Sequence, residues 1–122
     1  MATIWQQAEE LKDEMVERRR DLHRHPETGW TEFRTASMII GELKKLGYDV
    51  KFGADVIDEK SMMGVPSEAE LADYMQRAIN EGADPELVKK MAGGKTGIVA
   101  TLKTDKPGKT VAFRFDMDCN DV

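Results

Sequence analysis

Apolar residues near the start of the chain recur at helical steps. Trp5, Ala8, Leu11, Met15 and Leu22 share one face, with the stem of Arg19 filling the gap, while Glu9, Glu10, Lys12, Asp13, Glu17 and Arg18 take the other. This spacing predicts an amphipathic helix. It should end near His23, because Pro26 disfavours helical geometry at His25 before it. A second helix is expected from Thr31 as N-cap through "EFRTASMIIGELKKL", burying Phe33, Ala36, Ile40 and Leu43, with Ile39 and Leu46 widening the stripe. Lys44 and Lys45 suit the negative end of its dipole, and Gly47 supplies a left-handed stop. "YDVKF" then alternates as a short strand does.

Residues 54–65 carry no clear period. "SEAE" at 67–70 is a capping box that opens a helix lined by Leu71, Tyr74, Met75, Ala78 and Ile79 and closed by Gly82. "ADPELVKKMAGG" predicts a short helix with Asp84 as cap and Pro85 in its first turn, ended by Gly93 and Gly94. "GIVATLKT" and "TVAFRFD" are β-rich runs joined by "DKPGK", which is a hairpin signal. The order of elements predicts an α/β layer structure, with helices packed on a mixed sheet and a hairpin near the C-terminus.

Length changes this picture little: 122 residues make one domain at most. Charge is plentiful but mixed, with 18 basic against 23 acidic residues. Nucleic-acid binders carry a basic stripe. The only basic run, Arg18 to Arg20, sits between Glu17 and Asp21, so no nucleic-acid partner is expected. A single cysteine, Cys119, excludes an internal disulfide and fits a reducing compartment. No stretch has the apolar length of a signal core or a membrane span. A cytoplasmic protein with no membrane contact is the expectation.

Three groups of residues could carry chemistry. Asp116 and Asp118 lie where the last β-rich run gives out, and ligands of open α/β sheets collect outside the carboxyl ends of strands. Two carboxylates there could bind a hard cation, steady a metal-binding imidazole or share a proton. They could equally be a solvated strand-to-loop transition. His23 and His25, with Glu27 and Glu32 nearby, could contribute to a zinc site. The plainer account is a connection between helices whose imidazoles hydrogen-bond the backbone around Pro26. Cys119 has no histidine close in sequence and reads as a packed small residue. The eight methionines read as core filler, and "GGKTG" precedes a strand where a phosphate loop would open a helix.

Taken together, "RRDLHRHPETGWTEFRTASMIIGELKKLGYDV" and "GGKTGIVATLKTDKPGKTVAFRFDMD" resemble the opening of the metal-dependent aminoacylase and carboxypeptidase family of amidohydrolases. The likeness is strongest to its aminobenzoyl-glutamate hydrolase subgroup. It rests on His25-Pro26-Glu27 with Gly29, Glu32, Arg34 and Thr35, on Met63-Gly64 with Pro66, and on Gly93 to Leu102. The resemblance implies the N-terminal part of a three-layer αβα, zinc-peptidase-like catalytic domain covering residues 1–122, with the metal-ligand region and the lid or dimerisation domain absent. It implies hydrolysis of N-acyl or N-aroyl amino acids such as p-aminobenzoyl-glutamate, at two zinc or manganese ions whose ligands mostly lie outside this chain.

On that likeness Asp116 and Asp118 are residues at the edge of the site, and His25, Glu27 and Glu32 are signature residues of mainly structural role. No metal ligand is assigned, and none is transferred to Cys119, which with Asn120 departs from the Ala-Leu usual in relatives. The chain alone is expected to be inactive, and an exposed sheet edge would favour self-association or a partner chain. Two other readings stay open. One is a non-catalytic interaction module. The other is a phosphatase using Asp116 and Asp118 as nucleophile and acid/base, although the Gly-Thr that follows such a pair is replaced by Cys119-Asn120.

Overall fold

The computed structural model describes residues 1–120. Its elements run α1 (Ile4–Glu10), α2 (Lys12–Arg24), α3 (Phe33–Lys45), β1 (Asp49–Phe52), α4 (Glu68–Asn80), α5 (Pro85–Lys90) and β2 (Ile98–Thr101), with short 3-10 turns at Gly53–Asp55 and Glu59–Ser61. The class is α/β, as the pattern predicts.

Helix α3 is the centre of the molecule. Phe33, Ala36 and Ile40 are fully buried, and Leu71 and Ala78 of α4, Val88 of α5, and Met91 close around them. The sheet covers part of the same helix. Its two strands are antiparallel, in a register that sets Asp49 against Thr101 and Phe52 against Ile98. Val50, Phe52 and Ile98 pack against the core. Local chemistry starts α4 and α5, and stops α3, α4 and α5, as expected. Ser67 and Glu70 form a complete capping box, Asp84 caps α5 ahead of Pro85, and Gly47, Gly82, Gly93 and Gly94 all adopt positive φ.

Three expectations are corrected. First, the N-terminal helix is two helices that meet at Leu11, and most of its apolar stripe is bare: Trp5 is 77% exposed, Leu11 and Met15 are exposed as well, and only Leu22 among its leucines is half-buried. Periodicity specifies a face that can be buried, but α2 meets the body through charged groups, and most of the stripe points away. Arg18 donates to Glu42 at 3.0 Å, and Arg34 grips Asp21 at 2.8 and 3.1 Å. Leu46, expected in the α3 stripe, is likewise exposed.

Second, Thr31 does not cap α3. The N-cap is Glu32, which makes no side-chain cap bond. Thr31 is buried and donates instead to the Thr28 carbonyl at 2.8 Å.

Third, the C-terminal hairpin does not form. "IVAT" pairs with β1, and residues 102–120 hold no strand. Val111, Phe113 and Phe115 stand in solvent, with the two rings stacked at 6.2 Å between centroids. A lone two-stranded hairpin is marginal without a surface to bury its apolar side. Here the end of the segment is tied instead to the loop between α2 and α3, where the Cys119 amide donates to the Glu27 carbonyl.

Candidate functional site

The motif stretches singled out in the sequence meet at one place, the loop between α2 and α3. Helix α2 ends at His25, whose Nδ1 donates to the Asp21 carbonyl at 2.8 Å and lies 3.3 Å from the Asp21 carboxylate. Pro26, with its fixed φ, carries the chain out of the helix. Glu27 follows and is buried. One of its carboxylate oxygens accepts from the Arg34 amide at 2.8 Å; the other accepts from both the amide and the hydroxyl of Thr35 at 2.7 Å. A carboxylate eight residues upstream therefore satisfies the free amides at the start of α3, where the helix dipole also favours negative charge.

Past Glu27 the loop turns sharply. Trp30 adopts φ 69°, the left-handed region, which is uncommon for an aromatic residue. Its indole Nε1 donates to the Met63 carbonyl at 2.8 Å. The neighbouring backbone of Gly94 is tightly packed: a Cβ there would lie 3.0 Å from the Trp30 carbonyl oxygen. Glu32, buried, accepts from the Thr96 hydroxyl at 2.6 Å. So the "HPE" run, the Met63-Gly64 stretch and the "GGKTG" stretch are bound to one another by side chains.

Glu32 is held above the usual carboxylate range, first by burial, against the Thr96 hydrogen bond, with the Asp118 and Glu27 charges adding to the rise. Asp21 is held below it, chiefly by its hydrogen bonds from Arg34.

The C-terminal acids reach this loop unequally. Asp116 is exposed and pairs with Arg114 at 2.9 Å. Asp118 lies beside the loop, its Oδ2 4.0 Å from where a Cβ on Gly29 would stand. The bond from the Cys119 amide to the Glu27 carbonyl measures 2.9 Å. Leu22, His23, His25, Thr35, Met117 and Cys119 are among the residues that wall a cavity of about 220 Å³ beside this contact. The structure thus brings His25, Glu27, Glu32 and Asp118, which the sequence presents as separate groups, into one neighbourhood. Sequence reasoning missed Trp30, Arg34, Thr35 and Thr96 as the residues that fix them. Their partners lie up to 64 residues away in sequence, and no local pattern announces such pairs.

Among the described residues no group of three or more His, Cys, Asp and Glu side chains is arranged to hold a metal ion.

Comparison with known proteins gives consistent relatives. The chain is 50% identical over 113 residues to the indole-3-acetyl-aspartic acid hydrolase of Enterobacter agglomerans, covering 93% of this chain and 26% of that one. It is 43% identical to a subunit of the p-aminobenzoyl-glutamate hydrolase of Escherichia coli, covering 100% of this chain and 28% of that one. A crystal structure of the aminobenzoyl-glutamate utilization protein from Klebsiella pneumoniae matches with a TM-score of 0.93 and 45% identity, over 98% of this chain and 30% of that one. The chain is homologous to part of these hydrolases. It spans between a quarter and a third of the length of these relatives. No family model matches it.

Proposed function

We propose that residues 1–122 are the N-terminal part of the catalytic domain of an amidohydrolase that cleaves N-acyl or N-aroyl amino acids. The relatives are named for p-aminobenzoyl-glutamate and indole-3-acetyl-aspartate. Either conjugate joins an acidic amino acid to an aromatic acyl group, and that class is the proposed substrate. One observation carries the reading: identity of 43–50% extends through nearly the whole chain.

In this reading the motif loop is scaffold. His25, Glu27 and Glu32 shape the α2–α3 connection, and Asp116 and Asp118 stand at the edge of the site. Zinc or manganese, when bound, would supply an activated water and a polarised amide carbonyl. Its ligands are proposed to lie mostly outside this chain, and the chain by itself is proposed to be inactive.

The exposed apolar residues support a second element of the proposal. Trp5, Met15, Val111, Phe113 and Phe115 are large side chains in solvent. Their burial against further polypeptide or another protein chain is proposed. The Escherichia coli relative is named as one subunit of its hydrolase, which agrees with an assembly. A cytoplasmic setting fits the lone thiol, and no helix among the described residues is long and apolar enough to cross a membrane.

The test is hydrolysis of p-aminobenzoyl-glutamate and indole-3-acetyl-aspartate, followed by release of the free amino acid. The chain alone should release none. A chimera in which it replaces the matched stretch of the Escherichia coli protein, expressed with whatever partner that protein needs, should release glutamate. A folded but inert chimera would count against the proposal.

A further inference from the structure

The geometry points to Glu27 as the positioning residue for Asp118, through a side chain that grips one element and a carbonyl that holds another. The side chain is spent entirely on α3, accepting from the Arg34 amide, the Thr35 amide and the Thr35 hydroxyl at 2.7–2.8 Å. The carbonyl of the same residue accepts the Cys119 amide at 2.9 Å. From Leu102 to Asn120 this is the only backbone hydrogen bond to the body among the described residues. Met117, two residues earlier, packs on the core, while the chain from 101 to 116 is exposed throughout.

The consequence is mechanical. An extended segment without strand partners has no ladder to set its register, so its position is fixed where it is attached. The attachment is the Glu27 carbonyl, and the direction of that carbonyl depends on the Glu27 side chain being locked to α3. Pro26, and the Asp21-anchored His25 before it, leave the peptide little freedom. Asp118 sits next to the bonded residue and lies over Gly29, its Oδ2 4.0 Å from where a Cβ on that glycine would stand. The glutamate of the "HPE" run therefore does more than cap a helix: it aligns the acid at the site edge with the N-terminus of α3. That Asp118 borders the reaction rests on the proposed function. That Glu27 places it does not.

The experiment is native-state amide exchange by NMR on the 122-residue chain, with the Asp118 side-chain carboxyl ¹³C resonance as second readout. In the wild type the Cys119 amide should be protected. In Glu27→Gln an amide NH₂ faces a backbone donor, so the loop shifts. Cys119 protection should then fall about tenfold or more by local opening, and the Asp118 resonance should move. Arg34→Ala is the control: it weakens the body but keeps the backbone amide that Glu27 caps, and should leave the local opening of Cys119 in place.

A merely structural cap would lose α3 protection in Glu27→Gln with Cys119 and Asp118 unchanged, and that result overturns the proposal. An unprotected Cys119 amide in the wild type overturns it without any variant. Should Glu27→Gln fail to fold, Thr35→Val removes only the hydroxyl donor and is judged by the same two outcomes. Because no turnover is measured, this test can fail while the chimera remains active, and the reverse.

Discussion

The carboxylate of Glu32 and the hydroxyl of Thr96 meet at 2.6 Å inside the protein, joining the loop before α3 to the residues that lead into β2. Burial makes ionised Glu32 costly, and its carboxyl is held above the usual range. The sign follows. The folded state binds this proton more tightly than the unfolded chain does. The group's contribution to stability is fully present below the unfolded value and is lost as pH rises through the folded one.

Glu32→Gln should therefore be tolerated at pH 8, within about 1 kcal/mol of wild type, since the amide oxygen still accepts from Thr96. At pH 4 the wild type should regain ground on the variant. Thermal unfolding across this pH range reads the difference, and parallel curves would contradict the assignment.

The Asp21–Arg34 pair has the opposite sign. Two hydrogen bonds at 2.8 and 3.1 Å hold the Asp21 carboxyl low, and Arg34 also donates to the Glu81 carbonyl at 3.1 Å. This stabilisation is present above the unfolded Asp value and lost as pH falls through the folded one. Arg34→Ala should cost about 2–4 kcal/mol at pH 7 in a urea titration and flatten the acid limb of the stability profile. Arg34→Lys should recover only part, since an ammonium cannot make the paired contact.

Two glycines separate steric need from tolerance. A Cβ on Gly53, at φ 68°, would lie 2.6 Å from the Lys90 carbonyl oxygen, a backbone atom that cannot step aside. Gly53→Ala should cost about 3 kcal/mol or more. Gly41 lies within α3 with nothing within 4 Å of its Cβ position. Gly41→Ala should add about 0.5–1 kcal/mol through helix propensity. Chemical denaturation of both variants checks the contrast.

Phe113 and Phe115 are 79% and 82% exposed. Changing both to Ser should lower self-association of the chain in sedimentation experiments without lowering its melting temperature, because neither ring touches the core. A wild type that stays strictly monomeric at high concentration would remove the reason for that prediction.

These relationships differ in how far the sequence discloses them. The box at Ser67 and Glu70, the cap at Asp84 and the stop at Gly47 are legible because each is settled within a few residues by local hydrogen bonds or by φ. The buried face of α3 is legible because Phe33, Ala36 and Ile40 follow the helical period. The pairing of β2 with β1 is not, because alternation says that a strand can form and is silent on its neighbour. The bare face of Trp5 and Met15 fails for the same reason. In the candidate site, Glu27 is visible as part of a motif, but its grip on Thr35 and its tie to Cys119 arise only once the chain has folded.

In the proposed function this chain supplies the scaffold of an amidohydrolase's opening region and needs further groups to complete the catalyst. Glutamate release from p-aminobenzoyl-glutamate, compared between the isolated chain and the chimera with the Escherichia coli protein, tests it most directly. Turnover by the chimera and none by the isolated chain is the predicted result. Turnover by the isolated chain, or a folded chimera with none, would contradict it.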